Sequence, residues 1–183
     1  ITDKLDSVGN TTAAVGKGFS IGSAALAATS LMISYMYAFS EGSEPDIIDP
    51  LALCGALVGA ALPFMFSGML IEAVAKAARG IVDEVRRQFR EIAGLKEGTA
   101  RPDYKACIKI SSQNALKGMK VPCILAVVFP LAAGFIFGGH FVGGLLIGAT
   151  LSAVMLALYA GNAGGSWDNA KKYVEAGHEG GKG

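Results

Sequence analysis

Charge is absent from three long stretches of the chain. Residues 18–40, 50–71 and 121–167 contain no Asp, Glu, Lys or Arg. A bilayer core needs about 20 consecutive apolar residues per helix, so each of the first two stretches suits one span. The third is too long for one helix and is interrupted by Gly138-Gly139-His140. It divides into spans at roughly 121–138 and 141–165, joined by a tight turn. The second span runs on past its charge-free stretch. Val74, Ala77, Ala78, Ile81, Val82, Val85 and Phe89 recur at three-to-four spacing, the stripe of a helix that packs on one side. Arg79, Asp83, Arg86, Arg87 and Arg90 fall elsewhere, and Asp83–Arg87 is an i,i+4 pair of supporting sign. Gly94, Gly98 and Pro102 then break the helix. Residues 103–120 resume it, carrying Lys105, Lys109, Lys117 and Lys120. The expected fold class is all-α: a polytopic transmembrane helical bundle with four spans in these 183 residues, all in one membrane domain. The plainer alternative is a soluble protein with four deeply buried helices.

The placement of charge orients the bundle. All 16 Lys and Arg lie in residues 4–17, 76–120 and 171–182. The 41–49 loop has none, but carries Glu41, Glu44, Asp46 and Asp49. Four alternating spans put the three basic segments on one side, and the positive-inside rule makes that side cytoplasmic. The segment at about 80–118 is then a cytoplasmic loop. The cations of that loop suit phosphate or lipid headgroups, with a solvated face as the plainer reading. Glu72 lies one turn from Lys76, so a local pair explains it more simply than a place in an ion path. His140 reads as a solvated turn residue.

Composition agrees with a membrane protein. Hydrophobic residues make up 52% and charged residues 17%, against about 25% charged in soluble domains. The net charge of +1 offers nucleic acid no global attraction. The 25 glycines suit closely packed membrane helices. Cys54, Cys107 and Cys123 form no CxxC pair and read as inert thiols. The chain starts at Ile1 and stops in Gly180-Gly181-Lys182-Gly183, which gives the expectation of a segment of a longer protein.

Two motifs carry candidate chemistry. Gly9-Asn10-Thr11-Thr12-Ala13-Ala14-Val15-Gly16-Lys17-Gly18 opens the first span, and Gly164-Gly165-Ser166-Trp167-Asp168-Asn169-Ala170-Lys171-Lys172-Tyr173 closes the fourth. Both fall on the basic side, and both join acceptor oxygens to lysines. Mg²⁺ takes carboxylate and amide oxygens and bridges to phosphate, while lysine offers a point charge to the remaining oxygens. Asp168 and Lys171, three apart, share one face of a helix. The plainer readings are a helix N-cap at Asn10 or Thr11 and interfacial anchors at Lys171 and Lys172. No Walker A pattern is present.

The run from Leu5-Asp6-Ser7-Val8-Gly9-Asn10-Thr11-Thr12 through Gly22-Ser23-Ala24-Ala25-Leu26 resembles the membrane-bound pyrophosphatase family. So do Glu84-Val85-Arg86-Arg87-Gln88-Phe89 with Pro102-Asp103-Tyr104, and the Gly164–Glu175 run, where Ser166 replaces the usual small Ala. The resemblance covers essentially the whole chain. It implies a K⁺-dependent, Mg²⁺-requiring enzyme that couples pyrophosphate hydrolysis to pumping of Na⁺ or H⁺. It implies a homodimer in a lipid bilayer, each subunit a bundle of about sixteen helices with backbone polar groups satisfied within each helix. This chain matches the twelfth to fifteenth of those helices, and its partners are the remaining helices of the same subunit. Spans one and four match the inner ring, and spans two and three the outer ring.

By the same resemblance, Asn10 and Asp168 hold Mg²⁺, and Asn10, Lys171 and Lys172 bind substrate. Ala13 and Gly16 mark the K⁺-dependent subclass, whose counterpart has Lys and Thr there. The family's water-activating carboxylates and ion gate have no match in this chain. The rival from another class is a non-enzymatic ion channel or secondary transporter bundle. It explains the four spans equally well, but not two oxygen-plus-lysine motifs at one face.

Overall fold

The computed structural model describes residues 2–39 and 48–181; of residues 2–4, 6 and 7 it describes the backbone alone. The acid-bearing loop expected at 41–49 therefore lies outside the described residues except for Ile48 and Asp49. Among the described residues four long helices follow one another: α1 (Thr2–Phe39), α2 (Pro50–Glu91), α3 (Tyr104–Phe137) and α4 (Gly139–Glu175). All four are long and apolar enough to cross a membrane. Their apolar side chains point outward, to the extreme of Phe135 at 93% exposure. Lipid tails are as apolar as these side chains, so outward burial in a bilayer costs nothing that an internal core would recover. The fold is an all-α transmembrane bundle, and the protein is an integral membrane protein.

The chain forms two compact units, residues 1–63 with 137–183, and residues 64–136. In the first, α1 and α4 run antiparallel. Asn10 meets Asp168 near one end, and the Tyr35 hydroxyl donates to the Gly139 carbonyl (3.1 Å) at the other. The start of α2 runs parallel to the start of α4, and here the backbones touch. A Cβ placed on Gly144 would come 1.8 Å from the Ala52 carbonyl oxygen, and one on Gly148 2.0 Å from that of Ala56. The relation is reciprocal: a Cβ on Gly55 or Gly59 would collide with the carbonyls of Phe141 and Leu145 at 2.0 and 2.1 Å. Small residues four apart on both helices let Cα–H groups face carbonyls, contacts worth about 0.5–1 kcal/mol each. Leu145, on this seam, is only 1% exposed.

Gly138, at φ 82°, separates α3 from α4. Asp49 starts α2, its Oδ1 accepting from Leu51 N–H at 3.1 Å, with Pro50 at the first helical position where its missing N–H is harmless. His140 is more than a solvated turn residue. Its Nδ1 lies 3.2 Å from Asp49 Oδ2, close but not aligned as a hydrogen bond, and its ring meets Phe39 edge-on.

In the second unit, α2 and α3 are antiparallel. Gly118 sits where a Cβ would come 2.5 Å from Ala73 Cβ, and Gly80 lies against Ile110 and Asn114. The far end is locked by Gln88, a polar residue only 2% exposed. Its Nε2 donates to the Asp103 carbonyl (3.0 Å) and its Oε1 accepts from Asp103 N–H (2.9 Å). Asp103 in turn caps α3, accepting from Ala106 N–H at 3.0 Å. The expected Asp83–Arg87 pair does not form. The Arg87 fork binds Glu84 through Nε (2.9 Å) and Nη2 (2.7 Å), and Nη1 takes Glu91 (2.6 Å). The Arg87 bonds, with a further one from Gln88, hold the Glu84 carboxyl down to about 2. Nor does Glu72 pair with Lys76, which has no ion-pair partner among the described residues.

Candidate functional site

Asn10 is not a helix cap. It lies well inside α1, whose hydroxyl side chains turn back onto their own helix: Thr12 Oγ1 to the Val8 carbonyl (3.2 Å) and Ser20 Oγ to that of Gly16 (3.0 Å). Such internal bonds consume the hydroxyl donors locally. The Asn10 amide is free to reach across to α4, where its Nδ2 donates to Asp168 Oδ2. Lys172, one turn on from Asp168, places Nζ 3.0 Å from the same carboxylate oxygen. The Lys172 ammonium first, and the Asn10 amide second, hold the Asp168 carboxyl below the usual carboxylate range.

The two lysines diverge. Lys172 is 24% exposed and faces Asp168, whereas Lys171 is 67% exposed and its Nζ lies 3.9 Å from Glu175 Oε1. Deeper along the same helix pair, a groove of about 600 Å³ is lined by Gly16, Lys17, Ser20 and Ile21 of α1 with Ala160 and Gly161 of α4. Gly16 contributes open space there, since a Cβ on it would meet nothing within 4 Å. Ala13 is exposed on α1 between Asn10 and this groove. Lys17 was not singled out by sequence. Its place in the first motif was visible, but its position on the groove depends on how α4 passes α1.

An amide N–H and an ammonium favour the ionised, negative form of the carboxylate they approach, so Asp168 offers charged oxygens. That chemistry suits a divalent cation held through Asp168, with the Asn10 amide supplying oxygen when rotated. Among the described residues no cluster of three His, Cys, Asp or Glu forms. Mg²⁺ does not require one, since it keeps several waters and takes one or two carboxylates together with phosphate oxygens.

The profile of the inorganic H⁺ pyrophosphatase family matches residues 1–183. The chain belongs to the inorganic H⁺ pyrophosphatase family. Among similar pyrophosphatase relatives, a K⁺-stimulated pyrophosphate-energized sodium pump of Thermotoga maritima is 56% identical over 97% of this chain and 26% of its own length. A K⁺-insensitive pyrophosphate-energized proton pump of Methanosarcina mazei is 52% identical over 100% of this chain and 27% of its own. The pyrophosphate-energized membrane proton pump 3 of Arabidopsis thaliana is 45% identical over 100% and 25%. The chain thus spans about a quarter of the length of these pyrophosphatase relatives.

Proposed function

We propose that this chain is part of a membrane-bound pyrophosphatase that couples hydrolysis of inorganic pyrophosphate to pumping of Na⁺ or H⁺. The observation that carries the reading is the meeting of Asn10, Asp168 and Lys172 across α1 and α4. In this reading Asp168 and Asn10 hold Mg²⁺, and bound Mg²⁺ neutralises phosphate oxygens and charge that develops on them. Lys172 orients Asp168 and shares substrate phosphate with Lys171, whose exposed stem leaves it room to swing towards a ligand. The remaining carboxylates belong to the other helices of the subunit, in a homodimer whose basic loops face the cytoplasm of a prokaryotic inner membrane.

The same reading makes the enzyme K⁺-activated. The names of the relatives include both K⁺-stimulated and K⁺-insensitive pumps, so membership alone does not select one. Ala13 and Gly16 support K⁺ activation: both are small, Gly16 opens onto the groove, and neither position carries a tethered ammonium. The test uses the full-length protein in sealed vesicles with Mg²⁺ and constant ionic strength. Phosphate release and cation uptake should both need pyrophosphate, and both should rise on adding K⁺. In Ala13→Lys the ratio of rates with and without K⁺ should fall towards one. Equal rates in the unmodified protein would refute the K⁺ assignment, and no phosphate release at all would refute the enzyme.

A further inference from the structure

Where α2 and α3 leave their apolar stretches, four cations stand at one level. The pairing of Ala73 with Gly118 and of Gly80 with Ile110 and Asn114 fixes the register of the two helices. In that register Lys120 and Lys117 on α3 lie beside the turn of α2 that begins at Ile71, and Lys76 and Arg79 follow within the next two turns. At 1.5 Å per residue the four occupy about 12 Å of height. That is about the depth of a headgroup layer plus the reach of snorkelling side chains.

The belt differs from an ordinary charged helix face in what surrounds it. All four side chains are exposed, and among the described residues none has an ion-pair partner. Further along, Arg87 is held by Glu84 and Glu91, whereas Arg86, Arg90, Lys105 and Lys109 are exposed and unpaired among the described residues. Within the belt, residues 71–82 and 111–120 contain a single acid, Glu72, against four cations. Directly adjoining it is exposed apolar surface, Met65, Leu70 and Ile71 on α2 with Val121, Ile124 and Val128 on α3. Apolar surface running straight into unpaired cations matches an amphiphile with acyl chains and an anionic head.

We propose that Lys76, Arg79, Lys117 and Lys120 form a binding surface for anionic phospholipid headgroups. Lys and Arg near a membrane surface are attracted to anionic lipid, and two helices present them as i,i+3 pairs on one belt. The charge of the lipid phosphate, together with chains lying on the adjoining apolar surface, selects a lipid over free phosphate.

The experiment offers full-length protein in mixed micelles equal amounts of phosphatidylglycerol and phosphatidylcholine, then counts the lipid retained after delipidation. Phosphatidylglycerol should be retained several-fold over phosphatidylcholine at low salt, with the preference lost at high salt. Replacing all four residues with Gln should bring retention to the phosphatidylcholine level. Exchanging them for the alternative cation (Lys76→Arg, Arg79→Lys, Lys117→Arg, Lys120→Arg) should preserve it. Should the Gln variant not fold, the salt series on the unmodified protein decides by itself: no preference at low salt overturns the proposal. Undiminished retention in a folded Gln variant overturns it as well. So does displacement of the lipid by millimolar inorganic phosphate, which would assign the belt to the free anion.

Discussion

Near the Gly139 end of α4, a Cβ added to Gly144 or Gly148 would strike a carbonyl of α2, whereas one added to Gly161, Gly164 or Gly165 further along would meet nothing within 4 Å. The same residue type thus performs two tasks in one helix. In the first region glycine removes side chains so that two backbones can touch, and the contact is complete within this chain. In the second it keeps the approach to Asp168 and the Gly16 groove open. Glycine content in a membrane helix therefore indicates close approach, but the thing that approaches can be another backbone or a ligand.

If the open region carries the chemistry, Asp168→Asn should produce the largest effect of any change considered. The substitution keeps size and removes charge from a group proposed to hold the metal, so pyrophosphate hydrolysis by the full-length protein should fall by at least the order of 100-fold that disturbing a metal's supporting groups costs. Thermal unfolding should barely move. A parallel loss of Tm and rate would make Asp168 a structural residue and dissolve the contrast.

The seam should give the mirror result. Gly144→Ala forces a methyl group into the Ala52 carbonyl, and overpacking of this kind costs about 1–3 kcal/mol. Unfolding of the purified protein in denaturant should report the loss. Gly161→Ala, with open space around it, should instead gain up to about 1 kcal/mol from helix propensity. Equal changes at the two positions would show that the seam is looser than described.

The smallest effect belongs to the second unit, whose turn is held by charge and amide contacts rather than by a glycine seam. Glu84 titrates at about 2 in the folded protein against an ordinary 4.5. Its contribution is therefore fully present above about pH 4.5 and is lost as pH falls towards 2. Amide protection over residues 88–107, corrected for intrinsic exchange, should weaken between pH 5 and pH 3. Glu84→Gln should flatten that dependence. The effect should be modest and sensitive to salt, because Arg87 is partly solvated.

The fold class was legible because a bilayer leaves its mark on composition: long apolar stretches free of charge are rare in chains that fold in water. Close packing was legible from glycine content, but which glycines form a seam was not, since that depends on the neighbouring helix. At the site, the oxygens of Asn10 and Asp168 stood out by sequence. The helical setting of Asn10 did not, because an amide near a chain's start also suits a cap. Spacing placed Lys171 on the Asp168 face, and i+3 and i+4 are nearly equivalent on a helix. The rotamers and the passage of α1 decide that Lys172 lies against the carboxylate. Arg87 likewise had several acids in range, and a guanidinium favours partners that satisfy two of its donors at once.

No proline interrupts α4, in contrast to Pro63 in α2 and Pro122 and Pro130 in α3. With no proline to absorb a bend, α4 links the seam near its start to the Asp168 cluster near its other end, where Asn10 of α1 also holds it. From Gly148 to Asp168 is about 30 Å at 1.5 Å per residue. A tilt of about 3° at the seam would carry the carboxylate roughly 1.5 Å, a displacement on the scale at which reacting groups lose alignment. A slight rocking of α2 against α4 at the seam would thus be felt at the Asn10–Asp168 contact, without any contact between α2 and the ligand.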